Sequence, residues 1–75
     1  MKPAQCRAAR ALINMTQSQL ADTAGLGLST IVDFEKERRE VSVEAKSAIQ
    51  SALESAGILF VAENGEGPGV RLRKK

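Results

Sequence analysis

The 75-residue sequence contains no histidine and a single cysteine, Cys6. Without histidine the usual zinc-ligand spacings cannot be assembled, and the commonest general base is missing. One cysteine cannot form an internal disulfide. Cys6 lies among small residues at helical spacing with no partner to activate its thiol, so it reads as a small core residue. No metal, cofactor or catalytic residue is expected, and an enzyme is the least favoured class. Long apolar runs are missing too, since none approaches the roughly 18 to 20 residues that span a bilayer. The opening MKPAQCRAAR has no apolar segment of signal-peptide type. The expectation is a cytoplasmic protein that does not enter the membrane.

What is present fits a small globular domain: 43% of residues are hydrophobic and 27% charged. A core this small leaves a modest stability margin unless chains associate, so dimerisation is plausible from size alone. Formal net charge is +2, but the terminal RLRKK carries four of the eleven positive charges. Residues 1–70 hold seven basic against nine acidic side chains, a net of −2. That is less basic than a nucleic-acid-binding domain leads one to expect.

Four helices are legible. Pro3 suits the first position of a helix, which can run to Ile13 with Cys6, Ala9 and Ile13 on its inner stripe. Thr16 and Gln19 have the spacing of a capping box and start a second, short helix that Gly25 stops. After Gly25-Leu26-Gly27, LSTIVDFEK reads as a third. Steps of 100° put Ile31, Phe34 and Glu35 on one side and Ser29, Asp33 and Lys36 on the other. Ser42 caps a fourth through about Ala56, with Ala45, Ile49, Ala52, Leu53 and Ala56 inward.

Beyond Gly57 the period changes. ILFVA and VRLR, separated by the turn-rich ENGEGPG, read as a β-hairpin. Two strands alone are marginal in water, and ILFVA is apolar on both faces. Ile58, Leu59, Phe60, Val61, Val70 and Leu72 are therefore expected to pair with a second chain. The division expected is a helical domain over 1–57 and a dimerising hairpin with basic tail over 58–75.

Two short helices joined by a glycine-containing turn form the arrangement that sets a helix in the DNA major groove. The stretch RAARALINMTQSQLADTAGLGLSTIVDFEKERREVS resembles the helix-turn-helix of phage-repressor-like regulators of the Cro/C1, or XRE, type. The features that carry the resemblance are M-T-Q-x-x-L-A at Met15 to Ala21, A-G at Ala24 and Gly25, S-T-I at Ser29 to Ile31, and Glu35. It implies an all-α fold: a compact lambda-repressor-like bundle of four to five helices, with the hairpin appended.

The resemblance also implies roles. Thr16 and Gln17, at a helix start, would anchor a DNA phosphate. Gly27, Leu28, Ser29, Thr30, Val32 and Asp33 would face the bases. Lys36, Arg38 and Arg39 would sit beside phosphates, and Arg10 and Glu35 would form an ion pair. Leu28 departs from the polar or basic residue often found there, and the outer stripe has no Arg, Asn or Gln for bidentate base contact. The function expected is a dimeric, sequence-specific transcriptional regulator, a repressor, that binds an inverted repeat in double-stranded DNA. The competing reading is a helix-turn-helix turned protein-interaction module, of antiactivator or antitoxin type, with a protein partner and weak or no DNA binding.

Overall fold

The computed structural model describes residues 1–73. Its elements are α1 (Pro3–Leu12), α2 (Gln17–Ala24), α3 (Leu28–Glu35), α4 (Val43–Ser55), β1 (Ile58–Val61) and β2 (Gly69–Leu72). Among these residues no helix is long and apolar enough to cross a membrane.

Local chemistry explains where the helices begin. Pro3 opens α1, and the Lys2 amide donates to Gln5 Oε1 at 2.7 Å. At α2 the capping box is complete: Gln19 N–H donates to Thr16 Oγ1 at 3.0 Å, and Thr16 N–H donates to Gln19 Oε1 at 2.9 Å. Ser42 Oγ accepts from the Ala45 amide at the start of α4.

The first three helices end alike. Each closes with a pair of bonds from the two residues beyond its last turn, and the residue that turns the chain has positive φ: Asn14 (53°), Gly25 (71°) and Glu37 (55°). Asparagine and glycine are the usual occupants of that conformation; glutamate is not. The residues that follow, Met15 and Leu26, are apolar and pack on the core after α1 and α2, whereas after α3 the residue is the exposed Arg38.

Cys6 and Ala9, Leu20 and Ala21, Ile31 and Phe34, and Ile49 and Leu53 bring all four helices into one core, closed by Val41 and Ile58. Ala56, expected on the inner side of α4, is exposed, because the helix has ended at Ser55 and the chain is already turning at Gly57.

The hairpin is antiparallel, with Ile58 opposite Leu72 and Phe60 opposite Val70. One face belongs to the chain's own core: Ile58 is fully buried, and Phe60 and Val70 pack against the helices. Gln5 Nε2 donates to Gly69 O at 2.9 Å and ties β2 to α1. The expectation that both faces need a second chain is corrected here. α1 and α4 cover the face that carries Ile58, which removes that residue from any contact between chains. Leu59 and Val61 point the other way, with Leu59 40% exposed.

Because Glu37 holds a left-handed conformation that disfavours side chains, Glu37→Gly is expected to stabilise the fold by about 0.5–1 kcal/mol. Thermal unfolding should show a midpoint raised by several degrees; a lowered midpoint would contradict the strain.

Candidate nucleic-acid interface

The site is organised around one buried carboxylate. The Glu35 side chain, at the end of α3, is 1% exposed. Arg10 reaches it from α1 with two bonds, Nε to Oε2 at 2.6 Å and Nη2 to Oε1 at 2.7 Å. Cys6 Sγ donates to Oε2 at 3.1 Å, and Gln17 Nε2 donates to Oε1 at 3.0 Å from the start of α2. Arg10 also donates to the Met15 carbonyl, and Arg7 donates to the backbone carbonyl of Glu35 itself. Four donor side chains, three from α1 and one from α2, therefore fix the end of α3, and the turn between those helices supplies the Met15 carbonyl that accepts from Arg10. Among the described residues, no buried side-chain nitrogen or oxygen lacks a hydrogen-bond partner.

These contacts shift the titrations. Burial pushes the Glu35 carboxyl up, but hydrogen bonds from Arg10, Cys6 and Gln17, with the charge of Arg10, outweigh it and hold the group below its ordinary value. Burial, then the bond to Glu35, pushes the Cys6 thiol far above its usual range, so it is neutral and unreactive at physiological pH. The hydrogen bond to Glu35 raises the Arg10 guanidinium.

Fixed this way, α3 presents its other side to solvent. Leu28 is 46% exposed; Ser29 and Lys36 are exposed, while Thr30, Val32 and Asp33 are half-buried along the same rod. Gly27 stands at the head of the helix in extended conformation and brings no side chain to cap it. At the other end of α3, an open depression at the start of α2 is lined by Arg7, Arg10, Asn14, Thr16, Gln17, Lys36 and the paired carboxylate of Glu35. Thr16 Oγ1 is occupied by the capping box and Gln17 by Glu35. What this helix start offers an anion is its free backbone amides, one remaining Gln17 N–H and the cations around them.

The three expected clamp residues differ. Lys36 and Arg38 are exposed and form no salt bridge among the described residues, whereas Arg39 Nε bonds Asp33 Oδ2 at 2.8 Å. Of the hairpin residues, Leu59 and Leu72 are exposed, Val61 is half-buried, and Arg71 and Arg73 are exposed. Lys74 and Lys75 lie outside the described residues.

A helix-turn-helix family model matches residues 7–55, about two thirds of the chain. The chain belongs to the Cro/C1-type helix-turn-helix family. No curated protein matches it. The family is one of DNA-binding regulators that are generally not enzymatic, and this helix-turn-helix protein is accordingly a DNA-binding regulator whose partner is double-stranded DNA.

Sequence reasoning placed Arg10 opposite Glu35 but missed Cys6, Arg7 and Gln17 as companions. The signal was available for two of them, since residues 6 and 7 stand four and three positions before Arg10, on the same side of α1.

A carboxyl whose folded-state pKa is lowered adds stability that is present above its unfolded value and lost as pH falls through the folded one. For Glu35 the ordinary value is 4.5, so its contribution should vanish progressively below that pH. Replacing it by Glu35→Gln leaves Arg10 without a counter-charge and should cost about 3 kcal/mol or more at neutral pH. Urea unfolding from about pH 7 to about pH 3 should show a shallower acid loss in the variant than in the wild type; parallel profiles would contradict the assignment.

Proposed function

We propose that this protein is a sequence-specific repressor that binds an inverted-repeat operator as a homodimer in the cytoplasm. The observation that carries the reading is the open outer side of α3 from Gly27 to Lys36, held from behind by Glu35. A major groove about 12 Å wide admits such a helix.

At the base edges, Ser29 and Thr30 can donate or accept, and Leu28 and Val32 can contact thymine methyl groups. Neither pair discriminates strongly. Part of the selectivity then comes from the ease with which the duplex bends or narrows. Free amides at the start of α2, with Lys36 and Arg38 beyond α3, hold the phosphates and fix register. Occupying the operator excludes other proteins from it, which is sufficient for repression.

Dimerisation is supported by the half of the hairpin that the chain does not cover. Leu59 and Val61 share an outward face, and a two-stranded sheet leaves unpaired backbone groups on its edges. A two-fold axis there would present two copies of α3 about 34 Å apart, one DNA turn.

Selection of bound sequences from a random duplex pool tests this directly. The full chain should enrich an inverted repeat whose half-site centres are about 10 base pairs apart. Leu59→Lys should enrich single half-sites with lower affinity. An unenriched pool, with a protein partner captured through Leu28 and Val32 instead, would favour the interaction-module reading.

A further inference from the structure

The cations around α3 are not equivalent. Lys36 and Arg38 form no salt bridge among the described residues, while Arg39 is held by a carboxylate of the very helix that faces DNA. The backbone explains how they meet. Glu37 N–H donates to Phe34 O at 3.2 Å and Arg38 N–H to Asp33 O at 2.9 Å, with Glu37 at φ 55°. This turn reverses the chain and lays Arg39 back along the outer side of α3, where its Nε meets Asp33 Oδ2 at 2.8 Å.

The pair is built to open. Its side chains are 52% and 22% exposed, so salt and competing anions reach it. Carboxylate and phosphate present a guanidinium with the same kind of acceptor. A DNA phosphate brought to this side of α3 therefore competes with Asp33 for Arg39.

We propose that Asp33 restrains Arg39 in place of a phosphate, lowering affinity for DNA of arbitrary sequence and so raising the weight of base contacts in site choice. The inference rests on the DNA-binding reading above and adds a restraint to it. Residues 1–70 carry seven basic against nine acidic side chains, so withholding Arg39 removes one of only seven cations in that part of the chain. Discrimination is a difference of affinities, and weakening the sequence-independent part increases it as surely as strengthening the specific part.

The test is a salt series on a mixed-sequence duplex of about three helical turns, using the full chain, with circular dichroism confirming unchanged helix content. Relative to wild type, Asp33→Asn should bind more tightly at low salt. Its log–log salt slope should steepen by about 0.9, an extra loss of about 3.5-fold in affinity between 50 and 200 mM salt. Arg39→Ala alone should leave the slope nearly unchanged, whereas adding Arg39→Ala to Asp33→Asn should return it to the wild-type value. Glu37→Gln, which removes a neighbouring carboxylate that forms no salt bridge among the described residues, should not steepen it.

Three results would overturn the proposal. Weaker binding by Asp33→Asn would mean that the carboxylate accepts from a base. A steeper slope that survives loss of Arg39 would mean general charge repulsion. Salt-independent or absent binding by the wild type would sink the DNA-binding reading itself, and the restraint with it.

Discussion

The orientation of the recognition helix depends on Glu35. A carboxylate 1% exposed is tolerable only because Arg10, Cys6 and Gln17 all donate to it, and those donors come from α1 and α2. Because the two short helices around the turn are eight residues each, neither would be stable alone, and Leu20, Ala21, Ile31 and Phe34 anchor them in the core. The polar node adds directional bonds to that packing and so specifies the angle of α3. The same contact that locks α3 from behind leaves its front clear.

Charge is distributed sparingly over that front. Arg10 is committed to Glu35, Arg39 to Asp33 and Lys46 to Glu40, so much of the positive charge in the helical body is neutralised within it. The outer rod is instead a mixture of Leu28, Val32 and small hydroxyls. Such a surface gains little from long-range attraction and relies on close fit, in line with the proposal that Asp33 holds sequence-independent affinity low.

Much of this was legible in the sequence, for reasons that can be named. The starts of α2 and α4 follow from side-chain caps at Thr16 and Ser42, which are local, and the inner stripe of α3 follows from helical periodicity alone. The ion pair could be anticipated because the family resemblance implies a pair at Arg10 and Glu35, and the inward position of Glu35 on α3 makes an unpaired charge there costly. The hairpin was legible as strands but not in its packing. Alternation shows that β1 has two apolar faces, yet nothing in residues 58–61 says that α1 and α4 leave a gap the size of Ile58 for one of them. The Asp33–Arg39 contact was hidden for a related reason. It depends on a left-handed Glu37, and glutamate carries no sequence signal for that conformation.

The claim on which all of this stands is that the outer side of α3 and the start of α2 form the surface that meets DNA. Amide chemical-shift mapping during titration with duplex addresses it residue by residue. The largest changes should fall on Gly27 to Asp33 and on Gln17 and Ser18, with β1 and α4 little affected. Changes confined to the hairpin or to the outer side of α4, with α3 silent, would contradict the account.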